Sequence, residues 1–104
     1  APADLLLLPM TGDLSHAIAL ATRFRQAGLR VQLYTEQKKF KAKMSYADKT
    51  GVPFVVFLGE DEIREGVVAC KDMVSGEQTK LDFQGTLDRV QAELDRRSQG
   101  SVIQ

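Results

Sequence analysis

Residues 57 to 62, Phe-Leu-Gly-Glu-Asp-Glu, place three consecutive carboxylates directly behind an apolar run. The end of a core strand has no evident need of such charge, so the question is what Glu60, Asp61 and Glu62 face. Carboxylates at the end of a parallel strand project from the sheet edge where α/β folds place ligand sites. There they accept hydrogen bonds from exposed base edges, such as guanine N1–H and N2–H₂ or a cytosine amino group, and they repel phosphates. Such groups select bases rather than backbone, and single-stranded loops are their usual target. The same three residues would also serve simply to solvate a loop, and the pattern alone leaves both readings open.

A second group is basic. Of fourteen Lys and Arg residues, five are Lys38, Lys39, Lys41, Lys43 and Lys49. All lie within or just before one amphipathic segment whose apolar positions belong to the core. They form a ridge able to neutralise phosphates, although composition alone favours a solvated helix face.

Other chemistries find no support. His16 is the single histidine and stands at a helix start with no Cys or carboxylate at ligand spacing. Cys70, the single cysteine, lies in an apolar strand, where a small buried hydrophobe is the expected role. Neither Gly-x-Gly-x-x-Gly nor Gly-x-x-x-x-Gly-Lys-Ser/Thr occurs, so no phosphate cradle is encoded. The chain alone reads as non-catalytic, with no cofactor of its own.

The elements that must position these residues follow from periodicity. At 104 residues and 43% hydrophobic content the chain makes one domain with a real core. Its fourteen acidic residues balance its fourteen basic ones, so net charge points to no partner. One cysteine excludes an internal disulfide and fits a reducing compartment. The Leu5 to Leu8 run is far short of the roughly 18 apolar residues that span a bilayer, and of the roughly 7 to 15 of a signal-peptide core, so no membrane is expected.

Asp4 to Pro9 reads as a buried strand, and Asp13 or Ser15 caps a following helix with Leu14, Ala17, Ile18, Ala21 and Phe24 on one face, ending at Gly28. Leu29 to Tyr34 is a second strand. Lys38 to Thr50 is a helix with Phe40, Met44 and Ala47 inward, and Phe54 to Leu58 a central strand, so these three strands are parallel. Residues about 64 to 72 and 77 to 82 suggest an antiparallel pair turned at Ser75-Gly76. Leu87, Val90 and Leu94 mark a last helix. The expected domain is 1–104, with an ordered core over about 4–95 and a polar tail, 96–104, that frays. The opening Ala-Pro-Ala, in place of Met, suggests a processed chain or a piece of a longer protein, the latter being the reading taken.

The run KKFKAKMSYADKTGVPFVVFLGEDEIREGVVACKDMVSGEQTKL resembles the C-terminal anticodon-binding domain of bacterial-type histidyl-tRNA synthetase, a class II aminoacyl-tRNA synthetase. Lys38-Lys39, Tyr46-Ala47-Asp48-Lys49, Gly51-Val52-Pro53, Gly59-Glu60-Asp61-Glu62, Gly66-x-Val68, Lys71-Asp72-Met73 and Gly76-Glu77-Gln78 carry the likeness. It extends more loosely from Asp4 to Leu94.

The resemblance implies a single three-layer α/β domain, a five-stranded mixed sheet with three helices. It also implies that Glu60 to Glu62 face anticodon bases. In related threonine, proline and glycine enzymes an acidic residue closing the Gly-x-x-Glu turn and a basic residue on the next strand touch anticodon nucleotides. By position these are Glu62 and Lys71, with Glu60 a possible sharer. Met10, Thr11, Lys43, Ser45 and Tyr46 lie on the same implied face, and Lys38 and Lys39 complete the RNA set. Lys71 supplies a point charge rather than the bidentate fork of Arg.

The implied partners are the histidine tRNA through its anticodon loop, the catalytic domain of the same chain, and a second copy in a full-length homodimer, all in the cytoplasm. ATP and magnesium are implied only for the catalytic domain, whose motifs are not in this chain. Two alternatives stand beside this reading: a separate paralogue with another RNA or protein partner, and a flavodoxin-like small-ligand module. The loops after the first and third strands offer nothing to hold such a ligand.

Overall fold

Short aliphatic runs alternating with amphipathic segments require a sheet with helices laid over it. The computed structural model, which describes residues 3–103 and the side chains of residues 3–99, has this form. Along the chain come β1 (Leu5–Pro9), α1 (Ser15–Gln26), β2 (Val31–Leu33), α2 (Phe40–Thr50) and β3 (Phe54–Leu58). Then follow α3 (Glu60–Glu65), β4 (Val68–Asp72), β5 (Gln78–Leu81) and α4 (Phe83–Ile103). The strands form one mixed sheet in the order β2-β1-β3-β4-β5. β1 is parallel to β2 and β3, whereas β4 runs antiparallel to β3 and β5 to β4.

β1 and β3 are buried along their whole length because helices cover both faces of the sheet there. Alternation sorts their side chains into two cores. Leu5, Leu7, Phe54, Val56, Leu58, Val68 and Cys70 pack under Ala17, Ala21 and Phe24 of α1 and Val90 of α4. Leu6, Leu8, Val55, Phe57 and Ala69 pack with Tyr34, Val52 and Ala47 of α2. Register puts Lys71, Gln78 and Lys80 on this second face as well, over β4 and β5. Gln78 and Lys80 are exposed there, Lys71 half-buried.

Four helices, not three, flank the sheet. The extra one is α3, where a turn leading into a strand from about residue 64 was expected, and β4 accordingly begins only at Val68. Its cause is local. Glu60, Asp61 and Glu62 all fall in the first turn, where negative charge complements the helix dipole, and Gly66 closes the helix at φ 73°, a conformation open mainly to glycine.

α4 likewise continues through residues 96–103, expected as a fraying tail. Arg96 and Arg97 both pair with Glu93, at the i,i+3 and i,i+4 spacings that support a helix. Ala1, Pro2 and Gln104 lie outside the described residues.

Two inward assignments also change, since Ile18 is 52% and Phe40 51% exposed. Phe24 and the small Ala17 and Ala21 suffice to seat α1, and in α2 the buried positions are Lys43 and Ala47.

Candidate nucleic-acid interface

β1 and β3 end together. Pro9 is registered with Leu58, and the Met10 amide donates to the Leu58 carbonyl at 2.9 Å, so the segments after both strands leave the sheet side by side. Being parallel to β1, β2 ends on the same edge, which brings the start of α2 to it as well. This edge gathers Met10, Thr11, Glu60 and the Lys38–Lys41 segment.

The first loop is tied down. Thr11 Oγ1 donates to the Asp13 carbonyl at 2.6 Å, and Asp13 Oδ1 accepts the Ser15 amide at 2.9 Å in a turn just before α1. The N-cap of α1 is Leu14 and carries no side-chain cap bond, so the capping expected of Asp13 or Ser15 is not what starts the helix. The Ser15 amide bond holds the Asp13 carboxyl below its usual range. Met10 stays 41% exposed.

The three turn carboxylates have different occupations. Glu62 is drawn inward: Oε1 accepts the Gly59 amide at 2.9 Å, and Oε2 lies 3.5 Å from Lys80 Nζ. Gly59 has no side chain to return the bond, so this is one half of a capping box. A Cβ on Gly59 would stand 2.8 Å from Glu62 Oε1, so a side chain at this position would push the Glu62 carboxylate away from the amide it caps. The charge of Glu65 raises the Lys80 pKa, desolvation opposes it, and the hydrogen bond and charge of Glu62 add to the rise. Asp61 pairs with Arg64 at 2.6 Å. Glu60 is exposed and makes no hydrogen bond or ion pair among the described residues.

The basic ridge divides too. Lys38, Lys39 and Lys41 are exposed and, among the described residues, form no ion pair. Lys43 is a correction to the expected RNA set. It is 7% exposed, and its Nζ donates to the Pro9 carbonyl at 2.8 Å with the Tyr34 ring 6.0 Å away. Position 43 shares the inward face of α2 with Ala47, one turn on, and the last carbonyl of β1 receives its donor from there. The three free lysines sit at the positive end of the α2 dipole, and no acidic residue lies in the first turn. Each such charge costs the helix a few tenths of a kcal/mol, about 0.3–1 at most exposed sites. An anion at this edge would relieve it.

The other expected contacts lie elsewhere. Ser45 is exposed, but Tyr46 is half-buried, its hydroxyl accepting a hydrogen bond from the Gln32 amide and its ring edge-on to Tyr34 at 5.4 Å. Lys71 is opposite Val55, near the start of β3, so it does not meet Glu62; Lys80 of β5 does. Lys80 was missed because its link to Glu62 depends on the β4–β5 register. Phe40 was missed as a surface residue, although Lys-Lys-Phe-Lys, an aromatic set among lysines, was its signal.

Residues 4–93 match the family model described as "Anticodon binding domain". The chain belongs to the anticodon binding domain family. Among curated relatives, the histidine–tRNA ligase of Cytophaga hutchinsonii is 40% identical over 68 residues, 65% of this chain and 15% of that protein. That of Stenotrophomonas maltophilia is 36% identical over 80 residues, 77% of this chain and 17% of that protein. The crystal structure of histidyl-tRNA synthetase from Nostoc sp. PCC 7120 superposes with a TM-score of 0.83 at 28% identity, over 90% of this chain and 23% of that one. This anticodon binding domain therefore spans under a quarter of the length of the relatives it matches. Its mixed sheet and helices are those of a histidyl-tRNA synthetase anticodon-binding domain. Among its described residues no helix is long and apolar enough to cross a membrane.

Proposed function

We propose that the chain recognises the anticodon loop of the histidine tRNA, as the C-terminal domain of a histidine–tRNA ligase. The observation that carries this is the strand-end edge, which gathers three lysines and a carboxylate that are unpaired among the described residues. Lys38, Lys39 and Lys41 meet phosphates, and Glu60 accepts from the edge of a splayed base that the lysines hold within reach. Ser45 and Lys71 lie outside this edge and would touch RNA only where the loop extends along α2 or over the open part of the sheet. Glu62 supports Glu60 by holding the start of α3.

On this reading histidine activation, with its ATP and magnesium, belongs to a catalytic domain of the same protein, which works as a cytoplasmic homodimer. The chain itself takes no cofactor. The test is binding of this chain to an RNA hairpin with the histidine anticodon and to hairpins with scrambled loops. Tighter binding of the cognate loop is expected. Equal binding by a folded domain would overturn the assignment.

A further inference from the structure

Burying a phenylalanine is worth roughly 1.5–3 kcal/mol, so a half-open ring at the surface calls for a reason. Among the described residues the large apolar side chains left exposed are Met10, Ile18, Phe40 and Val74. Only Phe40 is aromatic, and only Phe40 is set among unpaired cations, Lys38, Lys39 and Lys41. Its ring does not hang free. It rests on Phe57 of β3, centroid to centroid 5.8 Å at a tilt of 33°, and Phe57 is itself 7% exposed. One side of the Phe40 ring is thus braced by the core while about half of its surface faces water.

We propose that Phe40 is a stacking platform for one unpaired nucleobase of the bound RNA loop, with the flanking lysines holding the adjoining phosphates. This rests on the RNA reading above and adds to it a residue and a mode of contact. A braced aromatic face amid lysines satisfies both halves of single-strand recognition, a π surface for the base and positive charge for the backbone. A protein partner would find there an apolar spot too small to anchor it and a ring of charge to desolvate. Glu60, at the start of α3 three residues beyond the Phe57 that braces the ring, is then the carboxylate offered to the edge of a base whose face Phe40 covers.

The test uses this chain, an RNA hairpin with the histidine anticodon, and the same hairpin with 2-aminopurine replacing each loop base in turn. In the unaltered chain one labelled position should be quenched on binding. Phe40→Leu should weaken binding about 5- to 100-fold and abolish that quenching, with the slope of affinity against salt unchanged, because no phosphate contact is lost. Phe40→Trp should retain affinity and quenching, which separates stacking from any loss of fold. Equal affinity and quenching in the Leu variant would overturn the stacking role while leaving RNA recognition standing. Failure of the unaltered, folded chain to bind any hairpin would overturn the RNA reading and this proposal with it.

Discussion

The Lys43 ammonium donates to the Pro9 carbonyl at 2.8 Å across 34 residues of sequence, fastening α2 to the end of β1. A lysine in a basic cluster is thereby a structural member rather than a phosphate ligand. Lys43→Met should leave that carbonyl without its donor and lower the unfolding free energy by about 1–3 kcal/mol. Lys41→Met, two residues earlier on the exposed face, should stay within about 0.5 kcal/mol. Urea denaturation of the two variants makes the comparison, and equal costs would mean that the Pro9 bond contributes nothing.

Glu62 has a cap to hold before it has any base to read. Glu62→Ala removes the acceptor of the Gly59 amide and the carboxylate near Lys80, and should destabilise the domain by about 0.5–2 kcal/mol with no RNA present. Glu62→Gln keeps an acceptor oxygen and should recover most of this. In binding, Glu60→Ala should cost about 1–3 kcal/mol for the cognate loop and little for a mismatched one. A cognate-specific loss confined to Glu62→Gln would return the reading role to Glu62.

What was legible in the sequence divides along physical lines. Leu5 to Leu8 and Phe54 to Leu58 show their burial directly, since a strand covered on both faces needs apolar residues at every position. The strand count and the parallel-then-antiparallel change follow from the spacing of such runs. α3 was hidden because six residues are too few to display a helical period, although Gly59, the three acids and Gly66 spelled out its ends. The orientation of α2 was misjudged because hydropathy favours Phe40 inward over Lys43. The Pro9 carbonyl, which reverses that preference, is visible only once β1 and α2 are side by side. At the edge, the position of Glu60 follows from the end of a strand, whereas Met10 and Thr11 were pointed to only by the family resemblance. The separation of Lys71 from Glu62 is a matter of register, which the sequence of the two strands leaves open.

Asp72 should make stability acid-sensitive. Partial desolvation pushes its pKa up, but the Ser75 and Val74 amides and the Arg89 guanidinium, 2.8 Å away, together hold it below the usual range. Because the folded value is the lower one, the stabilisation is complete above the unfolded carboxylate's pKa of about 4 and is lost as pH falls through the folded value. Asp72→Asn should therefore be less stable than the parent at neutral pH, and its stability should fall less steeply in acid. Parallel pH profiles of thermal unfolding would rule Asp72 out as the source.

Cys70 offers a check on the core. Burial beneath α4 pushes its thiol up to about 11, with the Arg89 charge opposing this and the Asp72 charge adding to it, so almost no thiolate exists at neutral pH. In the native state it should react with thiol reagents only at the rate of opening, far more slowly than in urea. Fast labelling of the folded domain would show that the sheet is open on that side.

The last prediction separates the two kinds of lysine by a quantity that structural damage does not imitate. Phosphate contacts are seen in the slope of log affinity against log salt, since each neutralised phosphate releases counterions, whereas loss of fold lowers the competent fraction at every salt concentration. Replacing Lys38, Lys39 and Lys41 together by Gln should flatten that slope by roughly 0.7 per lost contact. It should also leave the domain as stable or slightly more so, because three charges leave the unfavourable end of α2. Lys43→Gln should do the reverse, costing stability with the slope unchanged, since its ammonium is already held by Pro9. An unchanged slope in the triple variant would reduce the ridge to a solvated helix face and leave the recognition of RNA to Glu60 and Phe40.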